Sequence, residues 1–397
     1  MVSQLGVDEL LHVFSFLEAR DLLQAAQVNT VWNEVSKTKE LWRQLCLRRW
    51  SSCRASQMVP GTQTWKQYYL SRSELEFRVE SGRPEDFVCK AIAGHTGQID
   101  QLAYVSTNEY RFDGREKSVV CTVSADCTVR AWDLHEVVCA EGNLRTLMVP
   151  QLKVVSKVTT FPHASLGFSG SPDGQWVYVF PQHLDLGPQV FYIQSLLDPL
   201  EDEPPVSTIL PVNLASRACW APGEAARLIV MHRNSDCTQM IVTTFELKAE
   251  KCRGRTNTLV QQMVSFPLPD TLMPPHLMQS HSSQVILLAC GSKLVLFTIY
   301  GRHLTTFQDH QRSITSLWVD ANRVITSSLD LSLRIYMWNK ENKIPALKSC
   351  YHLLGGSHRW ASGFIHVKSD STSIVAVEAR SIGTSILRSY CFKVRHN

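Results

Sequence analysis

The chain has 397 residues, 44% of them hydrophobic and 19% charged, with a formal net charge of +4 at pH 7. That length exceeds what one hydrophobic core usually organises, so it implies two or three units or a repetitive architecture. The small positive balance is spread along the sequence rather than gathered in a block, which argues against nucleic acid or an anionic membrane as a partner.

The longest apolar runs, such as SQVILLAC at 283–290, fall well short of the roughly 18–20 residues that a bilayer crossing needs. The N-terminus has no basic segment before its apolar stretch, carries Asp8 and Glu9 there, and shows no small-residue cleavage site. A cytoplasmic and/or nuclear protein is therefore expected. The 12 cysteines are scattered from Cys46 to Cys391 without a C-x-x-C pair, so buried free thiols are expected rather than a disulfide framework or a metal site.

From Val7 to about Trp50 the apolar residues follow helical spacing. Leu10, Phe14 and Leu17 share one stripe with Leu11 beside it, and Leu22, Leu23 and Ala26 form the next. Val28, Val31, Trp32 and Val35 make a third, and Leu41, Trp42 and Leu45 a fourth, with Thr38 as the expected N-cap and Glu40 favouring the helix dipole. So small a unit cannot bury all these side chains alone, which predicts an apolar surface left for a partner. Residues 49–85, with Pro60-Gly61 and then TWKQYYLSRSELEFRV, are expected to be a helical connector.

After SGRPEDF the texture changes to short runs of Val, Ile, Thr and aromatic residues between turn clusters such as FDGREK, SPDGQ, APGE and DANR. These are strand signals. Gly94-His95 stands before one strand and Trp132-Asp133 closes another, the form of a WD repeat. His95, Ser124 or Thr122, Asp126 and Trp132 are the candidates for its structural hydrogen bonds. A second copy supplies His310, Ser328 or Thr326, and Asp330, with Arg334 four residues on, as Arg130 is in the first. It is degraded: Asp309 replaces the Gly before the His, Tyr336 stands where Trp132 stood, and Trp338 is displaced by two. GFSGSPDGQWVYVF and ACWAPGEAARLIVM look like worn blades between the two copies. Residues 86–397, at roughly 40–45 per blade, accommodate about seven.

The first 45 or so residues resemble an F-box. They supply Leu5, Leu10-Leu11, Phe14, SFL at 15–17, DLL at 21–23, QV at 27–28, Trp32 and LWR at 41–43 at that motif's spacing. With the C-terminal repeats, the chain resembles the F-box/WD-repeat family. TWKQYYL, SVVCTVS with RAWD, and the closing DHQ…WVD…YMW make it similar to the subgroup of F-box/WD repeat-containing protein 12. The implied fold is α+β and multidomain: an all-α F-box domain at 1–48, the connector at 49–85, and an irregular all-β WD-repeat propeller at 86–397.

The resemblance further implies a non-catalytic substrate receptor of a Skp-cullin-F-box ubiquitin ligase. The helices would grip a Skp-type adaptor, and through it cullin and RING subunits, while the propeller holds a protein substrate for ubiquitination and proteasomal degradation. The expected adaptor-binding residues are Leu5, Leu10, Leu11, Phe14, Leu17, Leu22, Trp32, Leu41 and Trp42, because leucine and aromatic anchors dominate helix-in-groove interfaces. About half of them are expected to face inward, Trp32 and Leu23 foremost. Gly6, where the family usually has Pro, and Asn29, where a Cys often follows QV, are departures expected to loosen adaptor binding. They also motivate an alternative, a non-degradative propeller scaffold with a vestigial F-box.

Propeller receptors of phosphorylated or acidic peptides use clustered arginines, so Arg217, Arg253, Arg255 and Arg312 are the substrate-binding candidates, with Arg334 also available. Arg130 and Arg334 occupy a strand position that often carries Arg for structural reasons. The acidic DPLEDEPP at 198–205 and basic KAEKCRGR at 248–255 are expected to be solvated loops. GFSGS at 167–171 misses a nucleophile elbow because Ser171 takes the second Gly position. The 14 histidines form no metal-ligand motif, and no Gly-rich phosphate loop occurs. Neither catalytic residues nor a cofactor or metal is expected.

Overall fold

The computed structural model describes residues 6–50, 64–106, 119–133, 141–142, 166–181, 187–197, 206–212, 214–223, 226–234, 236–252, 255–339, 344–356 and 361–392. It divides into two compact units, one of Met1–Gly142, Lys368–Ala376 and Ser385–Asn397, the other of Asn143–Val367 and Val377–Thr384.

The first unit opens with helices α1 (Val7–Phe14), α2 (Ala19–Ala25), α3 (Thr30–Ser36), α4 (Lys39–Arg49) and α5 (Trp65–Ser81). In α1, Leu10 and Phe14 sit one turn apart and are buried, while Asp8 and Glu9 meet the positive end of the helix dipole. The Asn29 side chain caps α3 by accepting from Trp32 N at 2.8 Å. Thr38 does occupy the N-cap position of α4, yet its hydroxyl donates to Val35 O at 2.7 Å and so satisfies the end of α3 instead. Trp42 Nε1 donates to Ser36 O at 2.7 Å and locks the same corner.

Helix α5 starts with a capping box between Thr64 and Gln67 and ends at Gly82, whose φ of 58° is the left-handed C-cap that glycine adopts freely. Trp65, Tyr68 and Tyr69 of α5 join Leu10, Phe14, Leu22, Leu41, Trp42 and Leu45 in one core. The stretch expected as a connector thus completes the helical core that the first four helices cannot fill. Arg49 donates to Glu76 at 2.9 Å, Trp50 Nε1 also donates to Glu76, and the Arg72 guanidinium lies 4.6 Å above the Trp50 ring. These contacts fix α4 against α5.

Among the described residues, 24 strands follow. β1 (Phe87–Ile92) precedes a sheet of β2 (Ile99–Ser106), β3 (Val119–Ser124), β4 (Val129–Asp133) and β5 (Glu141–Gly142). The next sheet holds β6 (Leu166–Gly170), β7 (Trp176–Pro181), β8 (Gln189–Tyr192) and, after a short helix α6 (Ile193–Leu197), β9 (Ser207–Ile209). Then come β10 (Arg217–Ala221), β11 (Ala226–Arg233), β12 (Met240–Cys252) and β13 (Arg255–Pro267), and β14 (Leu277–His281), β15 (Val285–Cys290), β16 (Lys293–Thr298) and β17 (His303–Phe307). The next is β18 (Ile314–Val319), β19 (Arg323–Ser328), β20 (Ser332–Asn339) and β21 (Ala346–Leu354). The last, of β22 (Ala361–Ser369), β23 (Ser373–Arg380) and β24 (Ser385–Phe392), takes β1 as its fourth strand in the order β1-β24-β23-β22.

Successive strands in each sheet run as antiparallel meanders, which is the blade pattern of a WD-repeat propeller. Six four-stranded sheets are present among the described residues, where the length accommodates about seven. β1 pairs with β24 from Phe87↔Phe392 to Ile92↔Leu387, so the strand that leaves the helices closes the last blade. The inner strands β15 and β19 are buried throughout, as expected of strands covered on both faces by neighbouring sheets.

Side chains tie neighbouring blades through main-chain groups. In the second unit Trp220 Nε1 donates to Ser169 O at 3.1 Å, Ser280 Oγ to Trp220 O at 2.7 Å, and Thr315 Oγ1 to Phe364 O at 2.6 Å. In the first, Ile99 N donates to Ser385 Oγ at 3.1 Å.

Candidate functional site

Both repeat copies build the same hydrogen-bond network. In the first, His95 Nδ1 lies 2.9 Å from Asp126 Oδ2 and its Nε2 lies 2.7 Å from Thr122 Oγ1. In the second, His310 makes the matching contacts to Asp330 at 2.9 Å and Thr326 at 2.7 Å. The carboxylates assign the tautomer: Nδ1–H donates to Asp, which leaves Nε2 to accept from the Thr hydroxyl. Thr122 and Thr326, not Ser124 and Ser328, are therefore the histidines' partners. Ser124 and Ser328 instead accept from Asp126 N and Asp330 N, each at 3.2 Å, inside the turn. Asp126 also takes the Thr96 and Thr128 amides at 3.0 Å each, and Asp330 those of Gln311 at 2.9 Å and Ser332 at 3.0 Å.

Burial raises both carboxyls, but the hydrogen bonds outweigh it and hold each below the usual carboxylate range. At His310 burial dominates over Asp330 and lowers the imidazole pKa, keeping the ring neutral. The side chain of Trp132 lies outside the described residues. Its counterpart Tyr336 is buried, and its hydroxyl donates to Asp309. The second copy is thus a compensated variant: the Asp that replaces Gly receives the Tyr that replaces Trp.

The helices present a different surface. Leu10, Phe14, Leu22, Leu41 and Trp42, expected as adaptor anchors, are buried in the domain's own core. Leu11, Leu17 and Trp32 are half-buried against it, with Trp32 edge-to-face on Phe14 at 5.4 Å, and Leu5 lies outside the described residues. Leu23 is likewise half-buried rather than internal. From α1 to α3 the exposed large apolar residues are Val7, Val13, Val28, Val31 and Phe16, the last 72% exposed, and on α5 Leu70 and Phe77 are exposed as well. Phe16 escapes a stripe-based search because it falls in the turn after α1, outside the helical period. Its signal was an aromatic two residues past a helix whose own core positions were already filled.

Of the arginines expected from the sequence to bind substrate, Arg253 and the Arg255 side chain lie outside the described residues. Arg217 is committed to main-chain carbonyls, Nε to His276 O at 2.7 Å and Nη1 to Ser216 O at 2.6 Å. Arg312 is exposed, with one Nη1 contact to Leu329 O at 3.4 Å. Among the described residues no group of three or more His, Cys, Asp or Glu could hold a metal ion, and no helix is long and apolar enough to cross a membrane. Of the described cysteines, Cys89, Cys127 and Cys237 are exposed rather than buried, and Cys121 and Cys350 are half-buried.

A small helical unit with a filled core and an apolar exterior, joined to WD-type blades, defines an F-box and WD-repeat protein. Residues 7–48 match the F-box-like family and residues 87–133 the WD domain, G-beta repeat. The chain is 30% identical to human (Homo sapiens) F-box/WD repeat-containing protein 12 over 96% of this chain and 97% of that protein. It is 27% identical to mouse (Mus musculus) F-box/WD repeat-containing protein 15 over 97% of this chain and 98% of that one. The solved WD40 β-propeller domain of Doa1 aligns with 77% of this chain and 96% of its own at 12% identity and a TM-score of 0.38. The chain belongs to the F-box/WD-repeat family, whose members are generally non-catalytic adaptors.

Proposed function

We propose that the chain is the substrate-recognition subunit of a Skp-cullin-F-box ubiquitin ligase, and that its F-box binds a Skp-type adaptor through an apolar face. The observation that carries this is the exposure of Val7, Val13, Phe16, Val28 and Val31 on helices and turns around a core that is already complete. Such a surface costs solubility in a free domain and is repaid when covered. The half-buried Leu11, Leu17 and Trp32 would line its rim, whereas Leu10, Phe14, Leu22, Leu41 and Trp42 support it from beneath. The cullin and RING subunits would follow through the adaptor, and the propeller would hold a protein substrate for ubiquitination and degradation in the cytoplasm or nucleus. The contribution is proximity, with no covalent step on the chain itself.

The test compares Phe16→Ala/Val28→Ala with Leu10→Ala/Phe14→Ala in co-purification with the Skp-type adaptor. The first pair is expected to lose adaptor while keeping native helical circular dichroism. The second loses both, since truncating buried Leu and Phe costs about 2–5 kcal/mol each. Full adaptor recovery by the first pair would overturn the assigned face. Polyubiquitin synthesis by the reconstituted complex separates a working receptor from a scaffold.

A further inference from the structure

The hairpin of β12 and β13 outgrows its own sheet. Both strands have 13 residues, where about five or six is usual, and β11 stops pairing with β12 at Ala226↔Leu247. From Lys248↔Leu259 to Cys252↔Arg255 the two strands continue as a ribbon with no third strand among the described residues. A ribbon of two strands is marginally stable in water, and a third strand is what ordinarily secures it.

The edge of β13 is open in the same place. This strand ends its sheet, and among the described residues no strand pairs with its other side. Sheets normally guard such an edge with lysine, proline or a bulge. β21, nine residues long at the end of another sheet, carries Lys348. From Thr256 to Phe266 β13 has neither a charge nor a proline. Its register with β12 is unbroken from Arg255 to Gln262, and the one shift falls beyond that run, at Met263. Val260 packs inward, whereas Asn257, Leu259, Gln261 and Gln262 are exposed, Leu259 by 47%.

A second copy of the chain fits this edge. Residues opposite one another in an antiparallel pair share a face, so a two-fold axis can pass through Leu259, the middle of Thr256–Gln262. It sets Leu259 against Leu259, Thr258 against Val260, Asn257 against Gln261 and Thr256 against Gln262. Aliphatic meets aliphatic, amide meets amide, and no charge meets its like. The two Lys248 residues lie one strand further out in each copy, about 14 Å apart at the usual strand spacing and beyond the screening length of physiological salt. Glu246 already pairs with Lys248 at 2.9 Å and with Arg227 at 3.2 Å. The basic sequence at the hairpin tip, KCRGR at 251–255, falls at opposite ends of the antiparallel pair. The stretch before β9, DPLEDEPP at 198–205, is the wrong occupant. Its three prolines lack the amides that a ladder needs, and its four acids find no cation along an uncharged edge.

We infer that the chain forms a two-fold homodimer by pairing β13 with β13 edge to edge, centred on Leu259, so that each ribbon gains the third strand it lacks.

Sedimentation equilibrium of the full-length chain tests this. The molar mass is expected to rise with concentration from that of one chain to that of two and to stop there. Leu259→Lys and Leu259→Glu are each expected to weaken association about tenfold or more, because like charges then stand directly opposite at the centre of the interface. Their circular dichroism stays that of the unaltered chain. Tyr300→Lys, on an exposed turn of another sheet, leaves association unchanged. An equimolar mixture of Leu259→Lys and Leu259→Glu is expected to recover the dimer, since opposite charges then face each other across the axis. A chain that stays monomeric at every concentration, as it does if a segment of its own or a foreign strand holds the edge, overturns the proposal. So do growth beyond two chains, a dimer that Leu259→Lys leaves intact, and a mixture of the two variants that stays monomeric.

Discussion

Asp309 and Tyr336 replace residues that in the first repeat are Gly94 and Trp132, and a double-mutant cycle tests whether the second pair acts as a unit. Tyr336 is buried and its hydroxyl donates to Asp309, while Asp309 also accepts from Ser349 Oγ at 2.8 Å. Tyr336→Phe removes one hydroxyl with little change of volume. A hydrogen bond to a charged group contributes about 1.5–3 kcal/mol, so a loss of about 2 kcal/mol is expected. Asp309→Gly removes the same bond from its other end together with the Ser349 contact, and is expected to cost a similar amount. In the double variant the shared bond is lost only once, so the combined loss should fall short of the sum by about 1–2 kcal/mol, within the range of contacting pairs. Urea denaturation of the full-length chain, followed by tryptophan fluorescence at constant m-value, measures each corner. Additivity within about 0.5 kcal/mol would refute the pairing and leave two unrelated substitutions. Asp309→Gly/Tyr336→Trp, which restores the first repeat's residues, is expected to be more stable than Tyr336→Trp alone.

Three further outcomes are expected. Asn29→Ala removes the α3 cap to Trp32 N and should cost about 1 kcal/mol in thermal or urea unfolding. Gly6→Pro should raise the melting temperature, because Gly6 already holds φ at −66° and the Glu9 side chain nearest a new Cβ can swing away; a gain of about 0.4–1 kcal/mol follows from the stiffer unfolded chain. Acid should destabilise the protein in two stages. The folded pKa of His310 is lowered, so its contribution is complete above the unfolded value of about 6.5 and is lost as pH falls below it. Asp126 and Asp330 are also lowered, so theirs is present above about pH 4 and lost below it. Melting temperatures measured from pH 8 to pH 3 check this, and His310→Gln should flatten the first stage.

The helical periods at Leu10, Phe14, Leu22, Leu41 and Trp42 were legible because a buried stripe must recur once per turn. That same regularity does not by itself separate a buried stripe from a docking face. Spacing identifies which residues share a side, but a buried core and a covered interface demand the same apolar side chains. Phe16, in a turn, had no period to announce it. Asn29 looked like a departure from a docking motif and is a helix cap, because capping is local and depends on a backbone conformation that the residue type only favours.

The two WD copies were legible through His95 and His310, whose spacing to Asp126 and Asp330 survives degradation elsewhere. Whether Thr or Ser completes each network was not, since both lie on the same strand two residues apart and so face the same side. The worn blades carried strand signals without signature dipeptides, and only strand pairing assigns them to sheets.

By itself the sequence determined the order of a helical unit and repeated sheets, the F-box and WD-repeat family, and the absence of recognisable catalytic motifs, because these depend on residue type and interval along the chain. Tertiary structure alone decided that α5 completes the helical core, that Tyr336 answers Asp309, that Arg217 is spent on carbonyls, and that Val7, Val13, Phe16, Val28 and Val31 are left outside. Each of those is a question of which groups compete for the same neighbour across distant segments. Interval along a chain carries no record of that competition.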